Sequence, residues 1–249
     1  MGFLEKLLQA IGRYGIPSAC IVCERYQCDT ICTNCLESLA NDALFNYVCC
    51  SQCGIALQAS EIAKQKCDSC ILNPPYFDAS YCLDRYEGAL QNALHQLKYQ
   101  KRLAYAHGLA NAWNKLLSEQ LKMIDAQLLF PVPLSIQKLG ARGFNQSWEI
   151  ARKIECGQGL LKTPFVLKRH HHEFAQAGEK FSTRHLAIQN MFYLDPQYRQ
   201  LLNGQSIVIF DDVMTTGATL NEIARLLKDN GASQVMNWVL LRTTRAPHV

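Results

Sequence analysis

No stretch of the 249-residue chain approaches the ~18 consecutive apolar residues of a membrane-spanning helix, although 49% of its residues are hydrophobic. A core can therefore form, but a bilayer segment is not expected. The nearest thing to a targeting segment is Met1 to Ile16, where Phe3, Leu4, Leu7, Leu8 and Ile11 share one side. Glu5, Gln9 and Arg13 interrupt that run, and no clear small-residue cleavage site follows it, so a secretory signal is not expected. The reading is a short amphipathic helix packing on its own domain, in a cytoplasmic protein. Charge is also scarce. The net value of +4 permits a polyanionic partner without arguing for one, because a dedicated nucleic-acid domain is usually more basic. There is no low-complexity tract. No internal repeat is present beyond pairs of cysteines, and past Cys82 the chain has only Cys156.

Cysteine is instead concentrated in one place, with eleven of the twelve between Cys20 and Cys82. Four Cys-x-x-Cys pairs stand out: Cys20/Cys23, Cys32/Cys35, Cys50/Cys53 and Cys67/Cys70. Two intervening residues let a tight turn aim both thiolates at one ion, and two such turns close a tetrahedral zinc site. Redox Cys-x-x-Cys pairs usually come singly within a βαβ pattern, and a cytosolic chain keeps its thiols reduced. Four pairs thus imply two zinc ions. Sequential pairing is favoured, with Cys20, Cys23, Cys32 and Cys35 at one site and Cys50, Cys53, Cys67 and Cys70 at the other. Interleaved pairing stays open, and Cys28 and Cys49 are close enough to compete as ligands. All-thiolate sites leave no open position, so the ions read as structural, supporting a module too small for its own core. Cys82 and Cys156 read as small buried apolar residues.

The character of the chain changes at Asn73-Pro74-Pro75-Tyr76, because consecutive prolines stop regular structure. The expected domains are residues 1–75, an N-terminal helix with the double zinc module, and residues 76–249. Tyr86 to Ala112 reads as mostly helical. Leu128-Leu129-Phe130-Pro131-Val132 reads as a buried strand, and a helix containing Trp148 is expected after Asn145. Ile207-Val208-Ile209-Phe210 is a fully buried strand of the kind found in parallel sheets. Thr219 to Asn230 carries Leu220, Ile223, Ala224 and Leu227 on one helical face and closes at Asn230-Gly231. Val235 to Leu241 is apolar again. Strand, helix and strand make a βαβ unit. The fold class is α/β, a mostly parallel sheet flanked by helices, with ligands at the carboxyl ends of the strands.

One strand end carries the chemistry. Asp211 and Asp212 follow Phe210, and Thr215-Thr216-Gly217-Ala218-Thr219 then opens a helix. The first N–H groups of a helix lack partners and carry the positive end of its dipole. Gly217 lets the backbone approach an anion and the threonine hydroxyls add donors, which together make a phosphate cradle. Two carboxylates would repel a bare anion. They suit a ligand with hydroxyls beside its phosphate, namely a ribose 5-phosphate.

This run resembles the signature of the type I phosphoribosyltransferases: four apolar residues, two acids, two free positions, two hydroxyl residues, Gly, any residue, Thr. The resemblance implies that Asp211 and Asp212 hold ribose hydroxyls and that Thr215, Thr216, Gly217, Ala218 and Thr219 hold the 5′-phosphate of phosphoribosyl pyrophosphate. It also implies Mg2+ bridging the pyrophosphate and ribose oxygens. In the wider superfamily the loop after Val132 binds pyrophosphate, which makes Leu134 and Ser135 candidates. Further motifs narrow the resemblance to the ComF/GntX family. These are Leu97-Lys98-Tyr99, Pro131-Val132-Pro133-Leu134, Arg142-Gly143-Phe144-Asn145-Gln146-Ser147, the spaced Gln176, Arg184, Asn190 and Phe192, and the double zinc ribbon. That family acts in natural competence, handling incoming single-stranded DNA on the cytoplasmic side. The resemblance therefore implies a DNA partner, other cytoplasmic competence proteins, and work extending to the inner face of the membrane.

Other candidates rest on residue chemistry. Arg142 lies in the glycine-flanked Lys138-Leu139-Gly140-Ala141-Arg142-Gly143, where a mobile guanidinium could close bidentately on pyrophosphate. It joins Asp211 and Asp212 as a catalytic candidate. Lys98 and Arg184 are equally readable as surface or site residues. His170-His171-His172 reads as a solvated loop. Lys98, Lys101, Arg102, Lys168 and Arg169, with Arg242 and Arg245, could form a strip for a DNA backbone, with Tyr99 and Tyr105 stacking on bases. No general base for a nucleobase acceptor is evident. The expectation is a competence protein that handles DNA and binds phosphoribosyl pyrophosphate with Mg2+. The alternative is an active phosphoribosyltransferase on an unidentified acceptor, without a DNA role.

Overall fold

The computed structural model describes residues 18–27, 29–121, 124–156, 159–170 and 190–244. The expected N-terminal helix, Cys28, Gln176, His171, His172, Arg184 and Arg245 lie outside the described residues.

The centre of the molecule is an all-parallel sheet in the order β3-β9-β8-β4-β5. Its strands are β3 (Ala79–Arg85), β4 (Leu128–Pro131), β5 (Leu161–Lys162), β8 (Ser206–Met214) and β9 (Gln234–Arg242). Side chains alternate across a strand, and β8 divides its apolar residues accordingly. Ile207 and Ile209 join one apolar cluster, while Val208 and Phe210 join the other. Helix α7 (Ala218–Asp229) covers the first face with Leu220, Ile223, Ala224 and Leu227. The second face is covered by α3 (Gly88–Tyr99), α4 (Ala104–Leu121) and α6 (Gln146–Ala151), through Leu90, Leu94, Leu97, Leu109, Trp113 and Ile150. A sheet buried on both faces explains why its strands read as continuous apolar runs.

The stretch Tyr86 to Ala112, expected to be mostly helical, holds two helices, α3 and the start of α4. The chain turns between α3 and α4 at Lys101, whose φ is 55°. The stretch around Gly140, read as flexible, is a helix, α5 (Ile136–Arg142). The Ser135 hydroxyl caps it by accepting from the Lys138 N–H, and Gly143, with φ 87°, closes it. This helix buries none of its own side chains. A small antiparallel pair, β6 (Leu167–Arg169) and β7 (Phe192–Leu194), stands apart from the main sheet.

The cysteine-rich segment holds the antiparallel pair β1 (Ser18–Ala19) and β2 (Tyr26–Gln27), then α1 (Thr33–Asp42) and α2 (Asp68–Leu72). It does not stand alone. Ile21 and Ile31 pack in the α3/α4 cluster, and Cys50, Cys53, Cys67 and Cys70 pack in the α7 cluster. A Cβ at Gly108 of α4 would meet Ile21 Cγ2 at 2.4 Å, so the first knuckle rests directly on that helix.

Candidate functional site

The structure gathers the eight paired cysteines into two groups, Cys20/Cys23/Cys32/Cys35 and Cys50/Cys53/Cys67/Cys70, with all sulfurs of a group within 4.8 Å of one another. Four thiolates at ordinary zinc–sulfur distances stand about 3.8 Å apart. Cys23 and Cys32 Sγ are 3.8 Å apart, and Cys53 and Cys67 Sγ 3.7 Å. Backbone N–H groups approach the sulfurs, Cys32 N to Cys20 Sγ and Cys67 N to Cys50 Sγ. The donor sets fit two zinc ions, grouped in sequence order rather than interleaved. They differ in environment: Cys23 is exposed, whereas all four cysteines of the second group are buried. Cys49 instead directs its thiol to the Leu44 carbonyl. Cys82 is buried, and Cys156 partly so.

At the carboxyl edge of the sheet, β8 runs on through both aspartates. Gly217 then turns the chain into α7 with φ 81°, in the left-handed region. The Thr216 hydroxyl accepts from the Ala218 N–H at 3.3 Å. Left-handed backbone costs other residues about 1–2 kcal/mol, and a Cβ here would also meet Met214 Cε at 2.6 Å. Gly217→Ala is expected to lower stability by about that amount and to distort the cradle. Denaturant melts and ligand titrations of the variant would measure both, and a wild-type result in each would show that the turn is not constrained.

The two acids are not equivalent. Asp212 is buried at 4% exposure, and its oxygens are engaged from within. Lys98 pairs with Oδ2, while Gln146 Nε2 and Ser147 Oγ donate to Oδ1 at 2.9 and 3.2 Å. Burial alone would raise its pKa, but the Lys98 charge and these hydrogen bonds hold it below the usual range. Asp211 is partly exposed and accepts from the Asp212 N–H at 2.9 Å. Burial, then the neighbouring Asp212 charge, push its pKa well above the usual carboxylate range.

Asp211 and Asp212 line a cavity of about 510 Å³ with Lys98, Tyr99, Lys101, Leu134, Lys138, Arg142, Arg169 and Thr219. The cations greatly outnumber the carboxylates, which suits a multiply charged anion. Arg142 ends α5, donates to Gln146 Oε1, and sits 5.9 Å from the Tyr99 ring centre. Arg169 stands over Phe192, and burial lowers its pKa. Leu134 lines the cavity, whereas Ser135 serves as the cap of α5.

Of the basic residues read from the sequence as a strip, Lys98, Lys101 and Arg169 line the cavity together. Lys98 is committed to Asp212, and Arg242 is buried at 6% exposure. Arg102 lies over Tyr105 near Glu24, and Lys168 lies over Phe165. Lys101 and Arg169 face the cavity. Gln146 and Ser147 were part of a recognised motif, but no sequence signal marked them as partners of Asp212. That contact spans 66 positions.

The sheet, the strand-end acids and the glycine turn define a type I phosphoribosyltransferase fold, joined to a double tetra-cysteine module compatible with a zinc ribbon. A family model described as the phosphoribosyl transferase domain matches residues 142–246. The chain is 30% identical over 223 residues to the "DNA utilization protein YhgH" of Escherichia coli (strain K12), covering 86% of this chain and 90% of that one. It is 27% identical over 217 residues to "Competence protein F" of Haemophilus influenzae, covering 85% and 90%. The "Competence protein ComFC" of Streptococcus pneumoniae is 30% identical over 134 residues, 54% of this chain and 56% of that one. The chain belongs to the ComF/GntX family of competence proteins.

Proposed function

We propose that this chain is a cytoplasmic competence protein, active up to the inner face of the membrane, that binds phosphoribosyl pyrophosphate with Mg2+ and handles incoming single-stranded DNA. The cavity carries this reading: Asp211 and Asp212, Thr219 in the first turn of α7 and several cations line it. In this proposal Thr215, Thr216, Gly217, Ala218 and Thr219 hold the 5′-phosphate, because unpaired N–H groups at a helix start favour anions. Asp211 accepts from the ribose hydroxyls and Asp212 holds the floor of the site. Leu134 and Ser135 flank the pyrophosphate. Arg142, on a helix with no buried side chain, swings toward it together with Lys138.

Asp211 is the carboxylate available to a cation, so it would hold Mg2+ alongside the ligand. Magnesium in such sites keeps mostly phosphate and water ligands, and bound there it would neutralise the leaving pyrophosphate. Both zinc ions are structural. In this proposal residues 1–75 and 76–249 are the two domains. DNA would meet Lys101 and Arg169 at the cavity, with Arg102 and Lys168 outside it. Other cytoplasmic competence proteins are further partners.

Calorimetric titration of the zinc-loaded protein with Mg2+ and phosphoribosyl pyrophosphate, with and without single-stranded DNA, tests the reading. Binding that is lost in Asp211→Ala/Asp212→Ala and shifted by DNA is the expected result. No binding by folded wild type would overturn the ligand assignment. Pyrophosphate release with an acceptor, unaffected by DNA, would favour an active transferase without a DNA role.

A further inference from the structure

Arg242, at the end of β9, is buried beneath the turn that follows β8. Its Nε donates to the Cys53 carbonyl at 3.1 Å. Its Nη1 donates to the carbonyls of Met214, at 3.1 Å, and Thr215. One planar guanidinium therefore ties the second cysteine knuckle to the start of the phosphate cradle. Guanidinium is suited to this because its donors diverge in a fixed fork, whereas an ammonium is a single point. A second connection runs beside it. Gln52, inside the same knuckle, donates to the carbonyls of Pro75 and Phe77 at 3.3 Å. The Phe77 ring in turn stands 3.8 Å from where a Cβ on Gly217 would be. Two residues of one Cys-x-x-Cys turn thus support both ends of the loop Met214 to Gly217.

We propose that Arg242 is a positioning residue that fastens the phosphate loop to the second zinc knuckle, so that the metal at that centre sets the loop's ligand-ready shape. This rests on the reading of the loop as a sugar-phosphate cradle. The backbone of Cys50 to Cys53 is fixed by wrapping its thiolates around an ion. The Cys53 carbonyl inherits that position, Arg242 transmits it, and the Thr215 carbonyl receives it. The first centre has no such connection among the described residues, since its knuckles rest on α4 at the opposite face of the sheet. By linkage, a ligand on the loop perturbs the second centre and leaves the first unchanged.

The test uses the full chain with cadmium-113 in place of zinc, which gives one resonance per centre. The exposed first centre is assigned as the resonance lost sooner to chelator. Mg2+ with phosphoribosyl pyrophosphate is expected to shift only the second resonance. Arg242→Met should weaken binding of that ligand at least tenfold with both metals retained, and Arg242→Lys should recover part of the loss. In the ligand-free protein, both variants should move the second cadmium resonance and the amide signals of Thr215 to Thr219, but not the first resonance. If Arg242→Met fails to fold, Arg242→Lys carries the same comparison. Unmoved loop amides and an unmoved second resonance in a folded variant would overturn the proposal. If the wild type does not bind the ligand, the functional reading fails, and the ligand-free signals still decide whether the centre and the loop are linked.

Discussion

Asp212→Asn should cost the fold about 3–5 kcal/mol, the usual penalty for stranding one member of a buried ion pair, while Asp211→Asn should leave the fold intact and abolish ligand binding. The two aspartates are adjacent and chemically identical, so their divergence is set by surroundings. The side chains of Lys98 and Asp212 are only 13% and 6% exposed, so solvent screens their attraction little. An asparagine could still accept from Gln146 and Ser147, but Lys98, at the cavity wall, would lose its counter-charge. Asp211 has no comparable cation against it and turns its carboxylate to the cavity. Its loss removes a hydrogen-bond acceptor and, under the proposed function, a cation ligand, while relieving repulsion from Asp212. Denaturant unfolding and calorimetry on the two single variants separate the effects. Equal loss of stability, or equal loss of binding, in both would show that the pair works as a unit.

The same asymmetry sets a pH dependence. The raised pKa of Asp211 means that the folded protein holds this proton to higher pH than the unfolded chain. Its stabilising contribution is present at low pH and is lost as pH rises through the folded value. Asp212 behaves oppositely: its lowered pKa gives stability above the ordinary carboxylate range, lost as pH falls through the folded value. A ligand that requires ionised Asp211 must displace its proton, so affinity should rise with pH through the Asp211 titration, with protons released on binding below it. Titrations in buffers of different ionisation heat would reveal the release. Affinity independent of pH, with no proton released, would mean that Asp211 is already ionised or does not touch the ligand.

The central sheet was legible because its strands are buried on both faces and therefore run as uninterrupted apolar stretches, as at Ile207 to Phe210. The cradle was legible because it is local, its glycine, hydroxyls and acids falling within nine positions from Asp211 to Thr219. The cysteine groups were legible because the ligand spacing is itself local. What escaped was long-range. Lys98 reads equally as a surface or a site residue, and only the approach of α3 to β8 brings it to Asp212. Arg242 reads as one more basic residue near the end of the chain, yet it reaches a carbonyl 189 positions away. Gly140 and Gly143 on either side of Arg142 suggest a mobile stretch, since glycine weakens a helix. The capping Ser135 and the left-handed Gly143 at either end nevertheless define one full helix, short and unsupported by burial.

Removing the metals should have the largest effect on the whole molecule, and it should occur in two stages. Structural zinc in small modules contributes apparent free energies of about 10–16 kcal/mol, comparable with the roughly 5–15 kcal/mol that stabilises a typical domain. The first centre includes the exposed Cys23, so a chelator can reach its ion without opening the core. The second centre is enclosed. Cys50, Cys53, Cys67 and Cys70 are at most 7% exposed and belong to the apolar cluster that contains Ile207, Ile209 and Leu220. Without an ion, four thiolates would crowd together in an apolar interior with no counter-charge, so they must take up protons or the site must open. Chelation with a zinc-sensitive dye should therefore release one equivalent quickly, with the parallel sheet still folded by circular dichroism. The second equivalent should leave only at the rate of global unfolding, and should accelerate with denaturant as unfolding does. Release of both ions at one rate, with the sheet intact, would mean that the cysteine module and the sheet are energetically separate despite their shared core.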